Sequence, residues 1–118
     1  MKVYVGNLDF DDGDQITVKS LKLFDGYLLF RVCITWTDED NGVSRWEYSE
    51  TRAVLNDSSK YVASGMRGFR EGLKPIQWDD LLSKVIFDIT RKARSLKING
   101  EWDHGGDLYP FSGDLDLL

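Results

Sequence analysis

From residue 16 to residue 36 apolar and polar side chains alternate along the chain. Ile16 and Val18, Leu21 and Leu23, then Leu28, Phe30, Val32, Ile34 and Trp36 fall on one side, and Thr17, Lys22, Arg31, Cys33 and Thr35 on the other. A period of two belongs to a strand with one buried face. The parity slips once, at Lys19-Ser20, which predicts a β-bulge. Asp25-Gly26 separates two apolar runs and suits a two-residue hairpin turn, whose backbone angles are positive. A second turn at Asn41-Gly42, in "TDEDNGVS", leads into "VSRWEYSETR", where Trp46 and Tyr48 point the same way. With residues 2–8 as a first strand whose Val3 and Val5 face the core, ended by an acidic turn from Asn7 to Asp14, the front half reads as a four-stranded antiparallel β-meander.

The pattern then changes. After "LNDSS", a cluster suited to capping, Val62, Met66, Phe69 and Leu73 recur at helical spacing and predict an amphipathic helix. Gly65 and Gly68 weaken it by about 1 kcal/mol each relative to Ala, and read as points of close packing on the sheet. In the next segment Trp78, Leu82, Val85 and Ile89 form a helical stripe, with Asp79 and Asp80 at its start and Arg91, Lys92 and Arg94 at its end to complement the dipole. Val85, Phe87 and Ile89 also alternate. A helix over 77–92 followed by a strand over 95–102 is the favoured reading, and a strand hairpin the alternative. Residues 103–118 read as an acidic, partly irregular tail with a last strand at 114–117. The expected fold class is α+β: an antiparallel meander of about four strands packed by one or two helices, with possible further strands at the C-terminus.

Composition fits one domain over residues 1–118, because 42% hydrophobic residues with four Trp supply a single core. The one cysteine, Cys33, excludes an intrachain disulfide and reads as a packed strand residue. No apolar run approaches the roughly 18 residues of a membrane span, and no secretion signal is visible, so a cytoplasmic protein without membrane contact is expected. The net charge of -5 is unevenly spread. Residues 1–42 are acidic, residues 43–97 basic, and residues 98–118 contain no Lys or Arg. That distribution suits a basic partner better than a nucleic-acid phosphate backbone.

Motifs for chemistry are few. The acids of "DFDDGD" and of "TDEDNG" do not fit the calcium-loop register, so both read as solvated turns with no metal. "GMRG" at 65–68 matches the Gly-x-x-Gly clamp of KH modules, but the apolar stripe runs straight through it. The single histidine, His104, has Asp103 and Asp107 nearby, the only arrangement that suggests a small hydrolase. No cofactor motif is present, and enzyme function is the minority reading.

"VYVGNLDF" resembles the first signature strand of the RNA recognition motif. That family's second signature would stand about 40 residues later, where this chain has "DNGVSRWEYSE", with Glu47 and Glu50 at apolar or small positions. The resemblance implies a sheet that stacks bases on aromatic rings. The corresponding nucleic-acid or nucleotide site would comprise Tyr4, Arg45, Trp46, Tyr48, Arg67 and Arg70. Set against it is the expectation carried by size and charge: a small acidic protein-binding inhibitor, of the immunity or anti-defence kind. Its partner would be another protein, such as a nuclease or toxin, whose basic surface it covers. The partner-binding residues would be Asp9, Asp11, Asp12 and Asp14, then Asp38, Glu39 and Asp40, and finally Asp103, Asp107, Tyr109 and Phe111.

Overall fold

The computed structural model describes residues 1–38, 42–70 and 76–118, with side chains for all of these except 38, 70 and 76–78. Among them there are nine strands and no helix: β1 (Tyr4–Phe10), β2 (Gln15–Leu23), β3 (Tyr27–Asp38), β4 (Gly42–Tyr48), β5 (Thr51–Leu55), β6 (Tyr61–Arg70), β7 (Ile76–Arg91), β8 (Ser95–His104) and β9 (Asp107–Leu117). Eight of them, β1-β2-β3-β4-β6-β7-β8-β9, pair antiparallel in a ring that closes where β9 meets β1. The ninth, β5, is not needed for closure. It continues the line of β4 and pairs with β3 through Phe30 and Thr51 and with β6 through Val54 and Val62.

The α+β expectation is therefore corrected to an all-β closed barrel. The four front strands do follow one another as read, but they form half of a barrel wall and not an open meander under helices. The Asp25-Gly26 turn and the bulge between Val18 and Ser20 stand where the alternation placed them. The helix expected through Val62, Met66 and Phe69 is β6, and Leu73 lies outside the described residues, as do the Asn41 of the second turn, Glu39 and Asp40. The helix over 77–92 is β7, which with β8 forms the strand hairpin held as the alternative. The segment 103–118, read as a partly irregular tail, is a tight turn and β9.

Closure replaces the missing helices as cover for the apolar faces. Inward side chains from every wall fill the interior, with Trp102, Phe30, Phe87, Leu8, Leu28, Met66 and Leu115 all essentially inaccessible. Burying each such side chain contributes about 1.5–3 kcal/mol. Eight strands leave an interior just wide enough for side chains to fill. A series of rings crosses it, edge-to-face from Phe30 to Phe87 at 5.0 Å, Phe87 to Phe111 at 5.8 Å and Phe111 to Phe10 at 5.8 Å, and ends in a tilted contact of Phe10 with Trp36 at 5.1 Å. Gly100 makes room for this series: a Cβ there would stand 2.5 Å from the Phe111 ring and 2.3 Å from the Ile86 carbonyl oxygen. Outward positions such as Thr17, Arg52, Asp88 and Lys97 are polar.

Up-and-down order sends alternate turns to opposite ends. The turns at 11–14 and 105–106 share one end, called here the upper end. The turns at 24–26, 56–60 and 92–94 share the lower end.

Candidate partner-binding end of the barrel

The upper end gathers acids that lie far apart in sequence. Asp9, Asp11 and Asp12 come from the β1–β2 hairpin, Asp79 from β7, and Asp103 and Asp107 from the β8–β9 hairpin. Several also have local work. Asp9 Oδ1 accepts a hydrogen bond from Gln15 Nε2 at 2.9 Å, and Asp12 Oδ1 accepts one from the Asp14 amide at 2.9 Å. Asp103 Oδ1 accepts from the Gly106 amide at 2.8 Å, closing the β8–β9 turn. Asp14 is buried, and its carboxylate takes the Thr37 amide and hydroxyl at 3.2 and 2.7 Å, tying the first hairpin to β3.

Apolar side chains stand among these acids. Leu81 is 84% exposed and Leu82 63%, and Val43, Leu108 and Tyr109 are exposed at the same end. Tyr109 packs edge-on to Trp36 at 5.6 Å, at the end of the interior ring series. The two leucines project because of a bulge: between Ser64↔Lys84 and Met66↔Asp80, β6 advances by two residues and β7 by four. Gly65, with φ 64°, supplies the left-handed backbone that the facing strand needs.

A buried polar cluster anchors that bulge. Asp80 Oδ1 accepts the Leu82 and Ser83 amides at 3.2 and 3.0 Å, and Asp80 Oδ2 accepts the Tyr48 hydroxyl at 2.9 Å. Burial first, then the Asp80 charge and this hydrogen bond, push the Tyr48 phenol well above its ordinary pKa, so it stays a donor. Ser83 Oγ accepts Trp102 Nε1 at 3.0 Å and faces His104 Nδ1 at 3.1 Å. The hydroxyl thus accepts from the indole while its remaining hydrogen-bonding capacity faces the imidazole nitrogen. A Gly105 amide bond to the Leu82 carbonyl at 2.9 Å fastens the bulge to the neighbouring hairpin.

No family model, curated relative or solved structure matches the chain.

The residues singled out in the sequence divide clearly in space. Asp9, Asp11, Asp12, Asp103, Asp107 and Tyr109 meet at the upper end, whereas Phe111 is an interior ring and Asp14 a tie between hairpins. The Asp38 side chain and residues Glu39 and Asp40 lie outside the described ones. The rings of the alternative nucleic-acid set are not presented together on an outer face. Tyr4 and Tyr48 are buried inward, Trp46 packs half-buried against the core, and Arg67 bonds Asp79 at 3.0 Å. Arg45 Nε donates to the buried Cys33 Sγ at 2.9 Å on the outer wall, beside a Lys19–Glu47 ion pair; the Arg70 side chain lies outside the described ones. His104 meets Ser83 and not Asp103, which turns to the Gly106 amide. Sequence reading missed Asp80, Leu81, Leu82, Ser83 and Leu108. The signal was present in "DDLLS", whose paired leucines break a period of two, but the same residues also fit a helical start. Among the described residues no three His, Cys, Asp or Glu side chains converge as metal ligands.

Proposed function

We propose that the protein is a small acidic binding module, working in the cytoplasm, whose upper end covers a basic surface of a partner protein such as a nuclease or toxin. The observation that carries this reading is the coincidence of exposed acids and exposed leucines at one end of the barrel. Acids speed the encounter with a basic surface and fix its orientation, while Leu81, Leu82, Leu108 and Tyr109 supply the apolar area that holds it. The packed interior supports a surface role, since its inward positions are occupied by the chain's own rings.

The test is affinity capture from nuclease-treated lysate of the native host, with wild type beside two charge-reversed variants. A basic protein should be retained by wild type and by Lys92→Glu/Arg94→Glu at the lower end, and lost by Asp103→Lys/Asp107→Lys at the upper end. Capture that disappears with nuclease treatment, or that the upper-end variant retains, would defeat the proposal.

A further inference from the structure

The lower end differs in charge from the upper. Arg52, Lys60, Arg91, Lys92 and Arg94 are exposed there, with Asp25 and Asp57 as the acids of the adjoining turns. Lys92 stands 4.0 Å from Asp114, and both side chains are more than half exposed, so that pair is weak. Arg52 lies 4.1 Å over the Tyr27 ring, which Phe24 stacks upon at 4.8 Å. At the lower end Leu55 is exposed beside Lys60, while Val54, on the opposite face of β5, lies on the outer wall across from Val62.

We infer that the barrel associates with a second copy of itself head to tail, the upper end of one copy seated on the lower end of the next. The inference rests on the reading of the upper end as a docking surface and names a partner for it. Each end exposes apolar side chains, Leu81 and Leu82 above and Leu55 below, and the described exposed charges around them are mainly acidic above and mainly basic below. A two-fold dimer through either end would set like charges against each other, acid on acid above or base on base below. Only the heterologous arrangement joins opposite signs while covering Leu81, Leu82 and Leu55, and a contact of that kind repeats without closing unless its rotation forms a ring. The leucine bulge suits such a contact because its backbone is fastened at Asp80 and Gly105, so little further ordering is required when it seats.

Sedimentation velocity across a concentration series in 20 and 300 mM NaCl reads the association, which should weaken about tenfold at the higher salt through screening of the rims. Leu81→Lys/Leu82→Lys leaves only a working lower end, and Lys92→Glu/Arg94→Glu only a working upper end. All four positions are exposed, and circular dichroism checks that each variant is folded. Each variant alone should remain monomeric, while their mixture should form a one-to-one pair and stop there. Wild type that is monomeric at all concentrations would overturn the inference, as would a mixture that stays monomeric while wild type associates. In either case the reading of the upper end would still stand if host-lysate capture of a basic protein depended on Asp103 and Asp107.

Discussion

Tyr48 and Gly100 show how much a single position can decide inside a closed barrel. Gly100 is a glycine because the space above its Cα belongs to the Phe111 ring, a constraint set by the next strand, where Phe111 stands directly opposite it. Tyr48 was read from sequence as a possible base-stacking ring. Its parity with Trp46 was legible, but which side of the sheet was enclosed was not, and the hydroxyl serves to hold Asp80. Because the folded phenol has its pKa raised, it keeps its proton while an unfolded chain loses one near the ordinary value of 10.0. Stability from this group is whole below that pH and declines as pH rises above it. Tyr48→Phe loses the hydrogen bond to a charged group, about 1.5–3 kcal/mol at pH 8, but has no phenol to titrate. The gap in melting temperature between wild type and Tyr48→Phe should therefore narrow from pH 8 to pH 10.5. A constant gap would mean that the phenol is not held protonated.

At the scale of elements, the misread helices have a common cause. In β6 the bulge at Gly65 moves the inward positions from Ala63 to Met66, so the helical-looking stripe of Val62, Met66 and Phe69 takes in both faces of a strand. In β7 the bulge after Asp80 places Leu82 outward and Val85 inward, so the stripe that looked helical draws on both faces of a strand. Strands without a bulge between their apolar positions, such as β3 and β8, were legible because their alternation was unbroken. What could not be read was which carboxylate holds the β7 bulge, since Asp79 and Asp80 are neighbours of the same type. The structure separates them: Asp79 makes an exposed ion pair with Arg67, whereas buried Asp80 accepts three hydrogen bonds. Asp80→Ala should cost more than about 2 kcal/mol, because it leaves the Tyr48 hydroxyl and two amides without their acceptor. Asp79→Ala should cost no more than about 1 kcal/mol, as exposed pairs do. Urea denaturation measures both, and equal losses would sink this assignment.

For the whole molecule, the alternation of turns between two ends explains why charge was only half legible. Along the chain the blocks run acidic, basic, acidic, but the barrel sorts hairpin turns by alternation and not by block. Hence Asp79, from the basic middle, joins Asp11 and Asp107 above, while Arg52 and Arg94 from the same block go below. The β1–β9 seam was the least legible feature, because alternation identifies strands without naming their partners. Tyr4 pairs with Leu117 and Phe10 with Phe111 across that seam, so closure joins residues from nearly opposite ends of the chain. Pairing at such separation carries a loop-closure cost before it yields burial, which places folding in the millisecond-to-second range for a barrel of this kind. The seam also removes the open strand edges that would otherwise template aggregation. A chain ending at His104 would expose the free edges of β1 and β8 and lose the inward Phe111 and Leu115 together. It should show no cooperative thermal transition by circular dichroism and should elute as aggregate on size exclusion, whereas the full chain melts in one step. A monomeric, cooperatively melting product would mean that the remaining strands hold their cover without the seam.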